Sequence, residues 1–87
     1  MYTIILTNKV KKKYEDLDEK YFKRFQDLFL HLETHPYPAD EYDFVKLGGM
    51  NDCYRIRIGD YRISYYIDTT NGIIRVFELE RREKAYK

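Results

Sequence analysis

Apolar and polar residues alternate along the segment DCYRIRIGDYRISYYI, which runs from Asp52 to Ile67. Successive side chains of a β-strand point to opposite faces, so the pattern predicts two strands joined by a tight turn at Gly59-Asp60. The apolar residues of this hairpin share one face: Tyr54, Ile56, Ile58, Tyr61, Ile63, Tyr65 and Ile67. A two-residue turn would place Arg57 directly opposite Arg62 on the other face.

The polar face of the hairpin carries Arg55, Arg57, Arg62 and Ser64. Like charges that face each other across a sheet destabilise it, so folding alone does not call for an Arg57–Arg62 pair. Planar guanidinium groups match phosphate oxygens in pairs. The pattern therefore favours a surface that binds an anion such as a phosphate backbone.

The spacing of apolar residues and the capping residues predict the other elements. They are a strand at Tyr2–Leu6, a lysine-rich helix at Lys9–Glu15, a second helix capped by Asp18 that ends near Thr34, a loop at His35–Asp43 and a short strand at Phe44–Leu47. The second helix must end before Pro36, because proline disfavours helical geometry in the preceding residues.

The last predicted strand is Ile73–Arg81. A three-residue loop at 70–72 would pair Ile63 with Leu79 and Tyr65 with Phe77, whereas a two-residue turn would bury two glutamates. The first register places Glu78, Glu80 and Arg82 on the arginine face. Arg81 then lies on the opposite face. This order of elements predicts an α+β fold in which an N-terminal strand and a two-helix hairpin precede antiparallel strands of one sheet, with both helices on one face.

Composition restricts the class of protein. The 87 residues are enough for one domain, 1–87, and the formal net charge of +1 means that any nucleic-acid binding depends on local clusters of lysine and arginine. The single cysteine, Cys53, excludes an internal disulfide and a cysteine-cluster metal site, and we expect it to be buried. With no signal peptide and no long apolar segment, a cytoplasmic protein without membrane contact is expected. His31 and His35 lack zinc-ligand spacing and no glycine-rich phosphate loop occurs, so we assign no metal and no cofactor.

The arginine face needs a separate group to move protons, because arginine keeps its proton at cellular pH. Tyr86 could act as a phenolate among cationic neighbours or could stack on a base. Glu78 and Glu80 are weaker candidates, since cross-strand pairing of Glu80 with Arg62, and of Glu78 beside Ser64, explains them better. The lysines of the first helix are either a solvated face or contacts to RNA phosphates.

The block KLGGMNDCYRIRIGDYRISYYI, with the last strand and the tail RREKAY, resembles the RelE/ParE toxin superfamily and more closely its RelE branch. The resemblance implies a ribosome-dependent endoribonuclease that cleaves messenger RNA in the 30S A site. It further implies attack of a ribose 2′-hydroxyl on the adjacent phosphate without a metal. It also implies inhibition by a RelB-like antitoxin, with which the toxin could form a heterotetramer, and contact with ribosomal RNA.

Several positions match the family's functional residues. Arg55 and Arg57 match two basic residues of the first hairpin strand, Arg62 matches the arginine after the glycine turn, and the tail supplies a matching arginine and tyrosine. The implied catalytic residues are Arg57, Arg62, Arg82 and Tyr86, and the expected RNA contacts are Arg55, Lys46, Lys9, Lys12 and Lys13. Some relatives carry lysines in place of Arg55 and Arg57 and are strongly basic, which leaves the general base open here.

Two other functions agree with the same fold. A ParE-like protein would inhibit DNA gyrase through protein contacts, although the full set of arginines and the tail tyrosine argue against it. An inactive relative would only bind RNA or a protein partner.

Overall fold

The computed structural model describes residues 1–82 and has the predicted order of elements. The elements are β1 (Thr3–Leu6), α1 (Asn8–Glu15), α2 (Glu19–Leu32), β2 (Asp43–Lys46), β3 (Cys53–Ile58), β4 (Tyr61–Asp68) and β5 (Ile73–Arg81). Each helix begins at a side chain that accepts a backbone N–H of the first turn: Thr7 accepts from Val10, and Asp18 accepts from Tyr21. The predicted cap at Asp18 is thus confirmed.

The five strands form one sheet in the order β1-β5-β4-β3-β2. Neighbouring strands are antiparallel except β1, which pairs with β5 in parallel. The predicted α+β class is confirmed. The N-terminal strand β1 thus lies at the edge of the sheet farthest from β2.

Both helices contribute to a core against one face of the sheet. The fully buried helix residues are Val10, Phe25, Leu28 and Leu32, and the sheet residues buried with them are Ile56, Ile58, Ile63, Tyr65, Ile67, Ile74, Val76 and Leu79. The apolar face of the predicted hairpin is therefore the core face, as the alternation indicated. Cys53 is buried as expected, with 5% of its surface exposed.

The hairpin registers were predicted correctly near the arginines and wrongly near the last turn. Arg57 lies opposite Arg62 and Ile63 lies opposite Leu79, as predicted. Tyr65, however, pairs with Val76 instead of Phe77, because a β-bulge interrupts the β4–β5 ladder, and the connection has four residues, 69–72.

The bulge has a physical reason. Without it, the register of Ile63 and Leu79 would continue to the turn and set Arg75 opposite the buried Ile67. The extra residue in β5 brings Ile74, which is fully buried, to that position. The bulge therefore keeps a charge out of the core while it preserves the register at the arginine end of the sheet.

None of the helices within residues 1–82 has the length and apolar character needed to cross a membrane.

Candidate active site

The strand registers place two rows of mainly polar side chains side by side on the face opposite the helices. The first row crosses β2, β3, β4 and β5 and consists of Asp43, Arg57, Arg62 and Glu80. The neighbouring row consists of Val45, Arg55, Ser64 and Glu78. All three hairpin arginines thus lie within two adjacent rows, on the same face as predicted.

In the first row, each arginine has a carboxylate opposite it on a neighbouring strand, β2 for Arg57 and β5 for Arg62. Arg57 Nη2 lies 2.8 Å from Asp43 Oδ2, and Arg62 Nη2 lies 3.5 Å from Glu80 Oε1. The Arg62–Glu80 pair confirms the predicted cross-strand pairing. The row therefore has a carboxylate at each end and the two arginines in the middle. The carboxylates offset the repulsion between the two opposed guanidinium groups.

In the second row, buried Ser64 connects an arginine to a glutamate. Arg55 Nε donates to Ser64 Oγ at 3.3 Å, and Ser64 Oγ donates to Glu78 Oε1 at 2.8 Å. Arg55 Nη2 also lies 3.6 Å from Glu78 Oε1. The contacts with Ser64 and Glu78 together fix the direction of the Arg55 side chain. The predicted position of Glu78 beside Ser64 is confirmed.

A groove of about 210 Å³ lies where the end of β5 meets the β3–β4 turn. Its described lining residues are Arg57, Asp60, Tyr61, Arg62 and Arg82. Arg82 reaches the groove because its backbone N–H donates to the Asp60 carbonyl oxygen at 2.6 Å. The placement of Arg82 with the hairpin arginines agrees with the register argument from the sequence.

A second groove of about 300 Å³ continues along the same face toward β2. Its lining residues are Asp43, Val45, Arg55, Arg57 and Arg62. Both grooves share Arg57 and Arg62. A phosphate held by these two residues would therefore have room for the nucleotides on either side. Such an arrangement can neutralise charge on a phosphoryl group, but a guanidinium group keeps its proton at neutral pH and so cannot serve as the base.

The predicted lysines do not join the arginine cluster. Lys9 and Lys13 line a separate groove of about 90 Å³ between α1 and the end of β5, together with Glu78 and Glu80. Lys12 is exposed on the same helix. Lys46 is exposed at the end of β2, and strand alternation puts it on the opposite face from Val45. Tyr86 lies outside the described residues.

Sequence reasoning missed two contributors to this region. Asp43 was placed in a loop, whereas it begins β2 and pairs with Arg57. Tyr21 was unassigned, whereas its hydroxyl accepts the backbone N–H of Asp60 at 3.1 Å. A signal for Asp43 existed, because an antiparallel β2 would bring one of its residues opposite Arg57. For Tyr21 the sequence offered only its helical spacing from Phe25.

The remaining chemistry of the described part of the chain is structural. Burial raises the pKa of the Cys53 thiol, and the nearby charge of Asp52 raises it further. Burial likewise raises the pKa of the Tyr65 hydroxyl, which donates to the Pro36 carbonyl oxygen. Within residues 1–82, no three side chains of histidine, cysteine, aspartate or glutamate are grouped so that they could hold a metal ion.

Comparison with known proteins agrees with the fold. The family model described as "ParE toxin of type II toxin-antitoxin system, parDE" matches residues 4–86. A protein of Methanocaldococcus jannaschii named "Putative toxin RelE1" is 34% identical over 86 residues, which cover 99% of this chain and 96% of that protein.

Solved structures give the same result. A chain of the archaeal RelE–RelB complex from Pyrococcus horikoshii OT3 superposes with a TM-score of 0.85 at 30% identity, covering 95% of this chain and 97% of that one. The isolated E. coli RelE toxin superposes with a TM-score of 0.82 at 19% identity, covering 99% and 89% of the two chains, which shows the shared fold. On these matches, the chain belongs to the RelE/ParE superfamily and is a RelE-like toxin of a type II toxin–antitoxin system.

Proposed function

We propose that this toxin is a ribosome-dependent endoribonuclease that cleaves messenger RNA in the 30S A site. The observation that carries the proposal is the meeting of Arg57, Arg62 and Arg82 at one groove on the open face of the sheet. Three guanidinium groups that converge on a groove suit a phosphate whose negative charge grows during the reaction.

In the proposed reaction, the ribose 2′-oxygen attacks the adjacent phosphorus and the bond to the 5′-oxygen of the next nucleotide breaks. The 2′-hydroxyl proton goes to a base, and the leaving 5′-oxygen takes a proton from water. Arg57 and Arg62 hold the non-bridging oxygens, and Arg82 stabilises the charge that develops on them. Arg55, oriented by Ser64 and Glu78, positions the RNA strand.

Proton transfer is assigned to Tyr86, which matches the tail tyrosine of the family, and the reaction is proposed to need no metal. Glu80 and Glu78 are less suitable bases. Glu80 is paired with Arg62, and Glu78 accepts the Ser64 hydroxyl, so each already has a structural role. Lys9, Lys12, Lys13 and Lys46 are proposed as contacts to RNA phosphates outside the groove, where they would increase affinity for the ribosome.

The test compares arginine variants on ribosomes programmed with a defined messenger RNA. Arg62→Ala and Arg82→Ala are each expected to slow cleavage by about a hundredfold or more, as when one donor to a developing oxyanion is removed. Arg75→Ala is the matched control, because Arg75 is exposed on β5 outside both grooves. Parental cleavage rates for Arg62→Ala or Arg82→Ala would overturn the assignment.

A second function, inhibition of DNA gyrase, is favoured by the family model that matches the chain, since its description names a ParE toxin. A supercoiling assay separates the two proposals. Gyrase inhibition without ribosome-dependent RNA cleavage would support the ParE-like function, and harmless expression without an antitoxin would indicate an inactive relative.

We also propose that a RelB-like antitoxin inhibits the toxin. The relatives from Pyrococcus horikoshii and Methanococcus jannaschii were each solved as complexes of RelE with RelB. An acidic antitoxin chain would be attracted to the lysines of α1 and the arginine face, so its affinity should fall as salt rises. Light scattering on the purified complex would measure whether it is a heterotetramer.

A further inference from the structure

The turn between β3 and β4 joins the parts of the proposed active site. Arg57 lies two residues before Gly59, and Arg62 lies two residues after Asp60. Arg82 is attached to the same turn through its N–H, which donates to the Asp60 carbonyl oxygen at 2.6 Å. A displacement of Asp60 would therefore move Arg82 relative to Arg57 and Arg62.

The Tyr21 side chain of helix α2 reaches this turn. Its hydroxyl accepts the Asp60 N–H at 3.1 Å, across 39 residues of sequence. Gly59 has a φ of +58°, and a Cβ at that position would overlap the Tyr21 hydroxyl. Glycine at position 59 thus serves both the left-handed turn and the close approach of the phenol ring.

Tyr21 is itself held firmly. Its ring contacts the Tyr61 ring edge to face, with centroids 4.7 Å apart, and the Arg24 guanidinium carbon lies 5.5 Å from the ring centre. The helix that carries Tyr21 is anchored in the core by Phe25 and Leu28, both fully buried. The hydroxyl is therefore a fixed point to which the turn is bonded.

We propose that Tyr21 is a positioning residue of the arginine site, which acts through Asp60 on Arg82. The N–H of Asp60 is bonded to Tyr21 on α2, and its carbonyl oxygen is bonded to the backbone of Arg82. Tyr21 in this way sets where Arg82 lies relative to Arg57 and Arg62. This inference rests on the proposed endoribonuclease function for its kinetic test but not for its structural test.

The kinetic test uses Tyr21→Phe, which keeps the ring and removes the hydroxyl. We expect kcat for messenger RNA cleavage to fall roughly fivefold with KM little changed, the loss expected when one neutral hydrogen bond no longer orients a catalytic group. In an Arg82→Ala background the same substitution should have no further effect, because Tyr21 acts through Arg82. Tyr14→Phe is the control, since the Tyr14 ring packs against Phe22 and Phe29 and should keep the parental rate.

The structural test measures amide hydrogen exchange by NMR. Tyr21→Phe should speed exchange at Asp60 and Arg82 several-fold while the core amides of Ile63 and Leu79 keep their protection, which a general loss of stability would not do. Unchanged exchange at Asp60 and Arg82, an unchanged kcat, or an equal loss of kcat with and without Arg82 would each overturn the inference. If the parent does not cleave RNA at all, the proposed function fails, and the exchange measurement alone decides the role of Tyr21.

Discussion

The row Asp43, Arg57, Arg62 and Glu80 predicts that carboxylates and a bound phosphate compete for the same guanidinium groups. The substitution Asp43→Asn tests this, because it removes the charge that lies 2.8 Å from Arg57 and keeps the size of the side chain. Two effects of opposite sign are expected, a small loss of stability and a gain in affinity for RNA.

The structure sets the size of both effects. The side chains of Arg57 and Asp43 are 56% and 50% exposed, so the pair contributes at most about 1 kcal/mol to the free energy of unfolding. If the Asp43 charge lies roughly 6 Å from a phosphate bound at Arg57, Coulomb's law in water gives a repulsion of about 0.7 kcal/mol. Removal of that repulsion should tighten RNA binding about threefold.

The assay is fluorescence anisotropy of a labelled single-stranded RNA at low salt, combined with urea unfolding of the same samples. Asp40→Asn is the matched control, because it changes the net charge equally at an exposed position outside the row. At about 1 M salt, where the screening length is roughly 3 Å, the gain should disappear. If Asp43→Asn weakens RNA binding at low salt, the carboxylate orients Arg57 for RNA and the reasoning from competition is wrong.

Three further predictions concern residues away from the arginines. Tyr65→Phe removes the hydroxyl that donates to the Pro36 carbonyl oxygen at 3.0 Å. The substitution should lower the free energy of unfolding, measured in urea, by about 1–2 kcal/mol. An unchanged unfolding midpoint would show that this buried hydrogen bond adds nothing to stability. Cys53, whose thiol is buried and has a raised pKa, should react slowly with a thiol reagent at neutral pH in the native protein and quickly in denaturant, and rapid native labelling would contradict its burial. Hydrogen bonds from Asn71 lower the pKa of Asp68 below its ordinary value of 3.8. Ionised Asp68 therefore stabilises the fold at pH values above 3.8, and this contribution is lost as the pH falls through the lower pKa of the folded protein. The difference in unfolding free energy between the parent and Asp68→Asn should therefore shrink on acidification below about pH 4, and a difference that grows would refute the sign.

The arginine end of the sheet was predictable because two constraints act on the same residues. Strict alternation assigns the faces, and a two-residue turn at Gly59-Asp60 leaves one register, with Arg57 opposite Arg62. The β4–β5 pairing had only one such constraint. Its register at Leu79 followed from keeping glutamates out of the core. The bulge beside Tyr65 could not be predicted in this way, because it is needed only to keep Arg75 from lying opposite the buried Ile67 in the assembled core.

The register of β2 was not predictable in the same way. The connection from Lys46 to Cys53 contains two glycines and no turn of fixed length, so the residue opposite Arg57 could not be chosen from the sequence. The structure selects Asp43 and so supplies a carboxylate for Arg57. Tyr21 was beyond sequence reasoning for a different reason, since its role depends on a contact between α2 and a turn 39 residues away.

Because Asp43 and Glu80 pair with two of the arginines, an anion site cannot be inferred from the opposed arginines alone. Opposed arginines alone do not require a ligand here, because Asp43 and Glu80 already offset the repulsion between Arg57 and Arg62. The stronger argument is the arrival of Arg82, which follows the last strand and is bonded to Asp60 at the same groove. Arg57, Arg62 and Arg82 then line one groove, so arginines are concentrated locally in a chain whose formal net charge is only +1. A site built this way holds its arginines without a ligand and still presents them to a phosphate, as the proposed cleavage reaction requires before its substrate arrives.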